Sequence, residues 1–598
     1  MQRTLASVSL SASREVKVWN AMEIRNLGPA KWFMVFMAVF GLLLAACAGD
    51  SEPGSDSGST DVTKAPADQQ VLRLRIQGEP KTIDPQLTNQ AEEVSLTRPL
   101  FDGLFSYDED LDVIPGLAME MPTIANGGIS EDGLTYTIKL NPEAMWSDGQ
   151  PVTAQDFVYS MKRALDPNLA SPYAAFFYSL SGAAPYNSAL GTPEEPKSPS
   201  DAELAALRDG IGVVARDDHT IVYQLTQPNP SFLNQLALWT AFPVRQDIVE
   251  QFGDTWTEAE THVGNGAFVL SEWTHGEKLV LQPNPYWYGE APSLQRIEIF
   301  IIADDVAAYQ AYKADEIDVV TVPPAAIEEV SQAGSAFADQ LSIEPELATF
   351  ALFMNYKVGP FDNQMVREAF GTAIDRNAYA NGVLAGSGTP TTSWIPPGMP
   401  GYDASVGTKY EFDAGKAQQL LADAGYADGA GLPEIKFTMV NSDTNRLVGQ
   451  FVQDQLKVNL GVDVEFEYVE LQEYFRIFAT GSHQIVIQRW SADWPYPDNW
   501  LPDLFTTGSP NNFNGYSNSS FDALMLQAAA ETDNDKRLAL YDEAHKLIVD
   551  EAAIVPLYNP VTYVLVRPDV TNLVTTGVDG YIKGDLSLSK VYIAGSSN

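Results

Sequence analysis

Cysteine is almost missing: Cys47 is the only one in 598 residues. That excludes an intramolecular disulfide and a thiolate metal cluster, whatever the compartment. Positive charge is scarce as well, with 36 lysines and arginines against 79 aspartates and glutamates and a net charge of −43. Such a surface repels phosphate backbones and anionic headgroups, so nucleic acid is excluded as a partner. Histidine is thin, at positions His219, His262, His275, His483 and His545, and never in a His-Glu-x-x-His pattern. Serine-elbow, phosphate-loop and dinucleotide glycine patterns are absent, and Gly264-Asn265-Gly266 lacks the third glycine. These gaps argue against an enzyme, a metal site and a cofactor. The one enzyme alternative left is a secreted glycoside hydrolase, which would need paired carboxylates in a Trp-lined cleft. Carboxylates are plentiful, but no pair stands out by spacing.

Long apolar runs are missing too, apart from one at the start. Lys31 is followed by fifteen residues, 32–46, that are apolar or small, and then by Cys47-Ala48-Gly49-Asp50. As a helix the run rises about 22 Å, short of the roughly 20 residues that a membrane span needs, so it reads as a signal-peptide core. Leu44-Ala45-Ala46-Cys47 resembles the bacterial lipobox, in which the cysteine is acylated and becomes the mature N-terminus; the competing reading is a short buried helix with a chance cysteine. Residues 1–21 make a poor leader, whereas a start at Met22 leaves Arg25 and Lys31 as a compact basic flank. After Cys47, residues 49–60 are small and acidic and cannot bury apolar surface, which predicts a flexible tether at 47–69.

What is present is globular. Apolar residues at 45%, with 11 Trp, 25 Tyr and 27 Phe, are enough for two or three cores, and the chain is too long for one. Strands are expected at 71–76 and 136–140, and a helix at 153–165 with Thr153 as cap, Asp156 three residues on, and Phe157, Val158, Met161 and Leu165 on one face. The most informative stretch is 434–495. Ile435, Phe437 and Met439 alternate as a strand; Asp443 can cap a helix whose inner face carries Val448, Phe451, Val452 and Leu456; Gly461 stops it; Val462, Val464 and Phe466 begin another strand. A helix over 471–479 leads to a strand at 484–490. Two such crossovers predict a parallel α/β sheet.

In parallel sheets ligands bind beyond the carboxyl ends of the strands, so the segments after Val440 and after Trp490 are expected to face one crevice. One carries Arg446; the other carries Asp493 beside Trp490, Trp494, Tyr496 and Trp500. An anionic anchor, a cationic anchor and aromatic walls suit an extended zwitterion such as a peptide, each charged bond contributing about 1.5 to 3 kcal/mol. Bland readings stand beside these: Asp493 as a helix cap, Arg446 on a solvated first turn, the aromatics as core.

Ten short motifs recur in order: Glu79-Pro80-Lys-Thr-Ile-Asp-Pro85, Leu100-Phe-Asp-Gly-Leu104, Trp146-Ser-Asp-Gly-Gln-Pro-Val-Thr-Ala-Gln-Asp156, Gly264-Asn-Gly-Ala-Phe268, Asn284-Pro-Tyr-Trp287, Asp315-Glu-Ile-Asp318, Asn355, Phe361-Asp, Val366-Arg367 and Ala373-Ile-Asp-Arg376. Together they resemble the family 5 extracellular solute-binding proteins of ABC importers, over roughly residues 71–569. Trp490-Ser-Ala-Asp493 and the run ending in Tyr173 resemble its oligopeptide-binding branch.

The resemblance implies an α/β, bilobal, periplasmic-binding-protein-like fold of the large three-domain form. Domain I would comprise 70–98, 235–347 and the return segment 569–598; domain II would be inserted at 99–234, and domain III would span 348–568. It implies a receptor that captures short peptides by hinge closure and delivers them to an ABC permease, held outside the cytoplasm on the membrane by lipid at Cys47, and monomeric. Nickel complexes, oligosaccharides and opines are alternative ligands on this fold. By the same resemblance Asp493 would hold the peptide ammonium and Arg446 the carboxylate. Glu79, Pro80, Arg489, Trp490 and Ser491 would border the peptide main chain, with Tyr173, Trp494 and Asn355 completing the site. A disulfide of some relatives would need cysteines at Ala348 and Ser491, and is missing here.

Overall fold

The structure is a computed structural model and describes residues 63–191, 195–509 and 511–595. Cys47, the leader, the start at Met22 and most of the tether fall outside the described residues. The described residues form one compact unit.

The alternation of Leu72, Leu74 and Ile76, all buried, makes Val71–Ile76 a strand, and it pairs in parallel with Arg296–Ile301. Lys278–Pro283 and Phe268–Thr274 extend this sheet by antiparallel pairing. A three-stranded antiparallel sheet, Thr135–Lys139, Thr220–Gln224 and Val213–Asp217, lies in the intervening sequence. The helix beside it runs Ala154–Ala164, and Thr153 and Asp156 close a reciprocal capping box as expected.

The second lobe shares with the first a larger sheet ordered Val319–Thr321, Val555–Val566, Ala348–Met354, Ile485–Ser491, Ile435–Val440 and Val464–Val469. The two crossovers read from sequence are present: Ile435–Val440 pairs in parallel with both Val464–Val469 and Ile485–Ser491. The helix Asp443–Leu460 between them buries Val448, Val452 and Leu456. Its cap is Ser442, whose hydroxyl accepts from Asn445 N at 3.1 Å, rather than Asp443, which is the first helical residue. Gly461, at φ 71°, ends it in the left-handed conformation that glycine adopts without penalty.

Two backbone features tie the lobes together, and a buried arginine anchors the first of them. The twelve-residue strand Val555–Val566 pairs at its start with Ala348–Met354 and Gly388–Pro390, and at its end with Val319–Thr321 and Leu341–Pro345, so one continuous backbone runs between the sheet systems. Arg376, buried and with its guanidinium pKa pulled down to about 10 by desolvation, donates to Pro556 O at 2.8 Å and Tyr410 O at 2.7 Å, fixing the start of that strand. The C-terminal segment then returns to the first lobe: Val570–Thr571 pairs with Tyr592–Ile593, and buried Gln70 bonds Ile593 through both its amide nitrogen and its oxygen.

The Gly264-Asn265-Gly266 turn is a close approach. A Cβ at Gly266 would lie 2.5 Å from Pro99 O and one at Gly264 2.1 Å from Leu100 O, while Asn265 bonds the backbone of Asp102 from both ends of its amide. Ala348 and Ser491, the positions of the missing disulfide, are direct partners in the antiparallel ladder. Cross-strand partners stand close enough for a bridge with little backbone movement. The pair Ala348→Cys with Ser491→Cys, in a Cys47→Ser background, should therefore oxidise to a disulfide and raise Tm by several degrees in a manner abolished by dithiothreitol. Thermal melts with and without reductant check it, and two free thiols after oxidation would contradict the register.

Candidate functional site

A cleft of about 550 Å³ opens between the lobes. The Ile485–Ser491 strand delivers Arg489, Ser491, Ala492 and Asp493 to one side; the start of the Ala91–Leu100 helix, with Gln77, Tyr173 and Trp239, forms the other; and Gly577 to Lys583 of the return segment walls it between them.

Asp493 sits at the end of the longest strand of this group for a geometric reason. Register places Phe437 opposite Ile485 and Thr438 opposite Val486, so Val440 ends level with Gln488. The neighbouring strand continues for three more residues, about 10 Å, paired only with Ala348–Met354. Asp493 thus stands in the cleft, and Arg446, which follows the shorter strand, does not. The Arg446 guanidinium lies exposed, 4.7 Å from the centre of the Tyr468 ring, and donates to Asn441 Oδ1 at 2.6 Å. Expecting both segments to face one crevice is therefore corrected by strand height.

The Asp493 carboxylate accepts from Asn499 Nδ2 at 3.1 Å, and the Asn499 Oδ1 accepts from the Asp493 amide at 2.8 Å. Desolvation pushes its pKa up to about 6, the Asn499 bond opposing this only in part. Two further carboxylates share the neighbourhood. Asp498 is pushed to about 6, chiefly by burial; it accepts from the Trp494 indole at 2.7 Å and from the Ser231 hydroxyl across the lobes. Asp503 is pushed to about 7 by burial and then by the charges of Asp498 and Asp493.

Tyr173 lines the cleft, edge-on to Trp239 and Phe176 at 5.2 and 5.1 Å between centroids, its phenol raised by burial and by the Asp493 charge. Arg489 also lines it, donating to Glu346 at 2.7 Å and to Ser491 Oγ at 2.6 Å.

The remaining expected residues lie elsewhere. Trp494, 4% exposed, packs edge-on to Phe176 at 5.1 Å, and Trp490 donates to Asn499 O at 2.9 Å; neither lines the cleft, and both indoles hold the loop after the strand. Glu79 turns away to accept from Trp273 Nε1 and Gly276 N and to meet His275, while Pro80 is buried beside it; of that strand end only Gln77 reaches the cleft. Asn355, buried, donates to Gly481 O and His483 O and caps Lys357 N, a structural clamp.

The cleft's aromatic surface comes instead from Tyr173, Trp239 and Tyr581, and its cations are Arg98, Arg489 and Lys583. Sequence reasoning missed Trp239, Tyr581, Arg98 and Lys583. Arg98 carried a faint signal, as the basic residue in the last turn of a helix with two acids in its first. The return segment has no periodicity that points anywhere. Among the described residues no group of three or more histidines, cysteines or carboxylates is disposed to hold a metal, and no helix is long and apolar enough to cross a membrane.

The raised acids fix a sign. Folding retains a proton on Asp503 between its unfolded value, near 4, and about 7, so the stability this provides is full below pH 4 and lost as pH rises through 7. His262, His483 and His545, each pulled down to about 4 by burial, act oppositely, so the test is a difference. Asp503→Asn mimics the protonated acid and should gain Tm over the parent protein progressively from pH 4 to pH 8, as read in melts of ligand-stripped protein. A gap that does not change with pH would mean the carboxyl is solvated.

Comparison with known proteins agrees with this geometry. The chain is 30% identical to the oligopeptide-binding protein OppA of Bacillus subtilis over 536 residues, 88% of this chain and 94% of that protein. Among solved structures, the periplasmic murein tripeptide-binding protein MppA in its unliganded open form superposes with a TM-score of 0.75 at 29% identity, covering 89% of this chain and 99% of that one. OppA of Haemophilus influenzae in complex with the peptide RPPGFSPFR gives 0.66 at 25% identity, covering 88% and 99%. These are extracytoplasmic binding proteins and not enzymes. The family model for bacterial extracellular solute-binding proteins, family 5, matches residues 112–512, and the chain belongs to that family.

Proposed function

We propose that this protein is a receptor for short peptides, which it grips between its lobes and hands to an ABC import permease. The single observation that carries the reading is Asp493: a carboxylate in the cleft, desolvated, bonded to one amide and ion-paired with no cation among the described residues. A free ammonium is the complement such a group requires. The backbone beside it supports a peptide over other solutes. From Arg489 to Ser491 the strand is paired on one edge with Ala348–Phe350, and no strand among the described residues pairs with the other. An extended peptide can add there, main-chain bonds giving affinity without regard to side chains. Relatives named for oligopeptides support the same choice over nickel complexes, sugars or opines.

In this reading domain I comprises 70–98, 235–347 and 569–598, domain II 99–234 and domain III 348–568. Closure bends the Val555–Val566 crossing, and ligand contacts to both lobes favour the closed form. Acylation at Cys47 and the 47–69 tether would hold the monomer at the membrane, where the permease sits. A short peptide with a free N-terminus should bind, and its N-acetylated form should lose most affinity. Asp493→Ala should cost about 2 to 5 kcal/mol, because the ligand ammonium is left unpaired in a closed cleft. Calorimetric titration, preceded by native mass spectrometry of the gently purified protein for a ladder of co-purified peptides, decides it. Equal affinity for free and acetylated peptides would remove Asp493 from the role.

A further inference from the structure

The ammonium end has a partner, but the carboxylate end has lost the one assigned to it, since Arg446 lies outside the cleft. Three cations line the cavity, and two are already spent. Arg98 donates to Asp585 at 2.7 Å and Arg489 to Glu346 at 2.7 Å. Lys583 is different: its ammonium makes one long contact, 3.5 Å to Gly580 O, and no carboxylate of the described residues lies within ion-pair distance.

A second observation lies behind it. A recess of about 20 Å³, room for one water-sized group, shares Thr321, Tyr581 and Lys583 with the lining of the cleft. Arg75 lines that recess, 5% exposed. Its Nη2 donates to Asp305 at 2.8 Å and to the Tyr581 hydroxyl, but its Nε and Nη1 are buried with no partner at all. Two unmatched guanidinium donors are costly in a dry site unless an acceptor or water meets them.

We infer that the α-carboxylate of a bound peptide is received here, by Lys583 with the Arg75 guanidinium behind it. The inference rests on the peptide reading of the cleft. The backbone under Lys583 is held firmly: Tyr581 N donates to Ala91 O at 3.0 Å, Ile582 N to Ser95 Oγ at 2.9 Å, and Gly584 N to Asp579 at 2.7 Å. Asp579, an anion of this segment that also lines the cleft, has its oxygens taken by Thr576 and Gly584. Because the return segment is bonded to the first lobe and Asp493 rides on the second, a zwitterion of the right length would bridge them. Ligand length is then set by the span between two fixed charges.

The test is a titration of alanine peptides of two to six residues, each as free acid and as C-terminal amide, against the full protein, Lys583→Met, Lys583→Arg and Asp493→Asn. The net charge of −43 repels carboxylates, so a preference for the acid can arise only locally. At one length the parent protein should prefer acid over amide by about tenfold or more, as a charge-assisted bond supplies. Lys583→Met should erase that ratio with Tm unchanged, Lys583→Arg should restore it, and Asp493→Asn should weaken every peptide while leaving the ratio intact. A ratio near one at every length, or one that survives Lys583→Met, overturns the inference and leaves the peptide reading standing. Failure of the parent protein to bind any of these peptides would sink the peptide reading and this inference with it.

Discussion

A carboxylate that has been taken out of water and given no cation governs this structure. Asp493 is held in place by Asn499, and its ionised form is costly there. Asp498 is raised by its own burial, and Asp503 by burial and then by the charges of Asp498 and Asp493, so the ionised form is disfavoured at all three acids. Near neutral pH the empty cleft is therefore an unsatisfied site. In the proposed role a ligand cation supplies what the fold withholds, and its binding free energy includes relief of that penalty.

The rest of the architecture supports that site. The Ile485–Ser491 strand outruns its parallel neighbour because Ala348–Met354 pairs with it along its whole length, and this overhang lifts Asp493 toward the opposite lobe. The Val555–Val566 strand carries the chain back across, its first half fixed by Arg376 and the Gly388–Pro390 pairing, its second half shared with strands of the first lobe. The lobes are thus joined by a continuous hydrogen-bonded backbone rather than a loose linker, and the proposed closure would be a bending of that strand. The Ser231–Asp498 bond and the Phe176–Trp494 contact already join the lobes at one edge of the cleft, so bending narrows it from the other.

Fold was more legible in the sequence than site, and particular residues show why. Val448, Val452 and Leu456 announce a helix because burial has a 3.6-residue period, and Gly461 announces its end because only glycine adopts that φ cheaply. Asp493 was legible through the residues around it. Arg446 was misplaced because sequence locates the end of a strand but not its height against a neighbour, which register decides. Trp490 and Trp494 looked like cleft walls, yet they hold the loop that follows the strand, their indoles bonding Asn499 O and Asp498. Asn355 and Arg376 sit in prominent motifs because they bind backbone carbonyls inside the lobe, a structural task. The return segment was silent: Tyr581 and Lys583 lie in a stretch without periodicity whose place is set by Ala91, Ser95 and Asp585, nearly five hundred residues away or a few residues along.

In the proposed role, a strongly acidic chain that receives zwitterions faces an asymmetric problem. The field of the whole chain attracts the ammonium end and repels the carboxylate end, and in physiological salt both effects fade beyond about 8 Å. Selectivity for a free carboxylate must therefore be built within contact distance. Arg98 and Arg489 cannot provide it cheaply, because drawing either away from Asp585 or Glu346 exposes an acid for every acid it gains. A cation kept without an anionic partner can, and keeping one so costs little when it stays half-solvated, as Lys583 does. The two ends of the cleft then follow one rule with opposite signs: each lobe holds an uncompensated charge, tolerable while the lobes are apart and best neutralised by a single molecule that touches both.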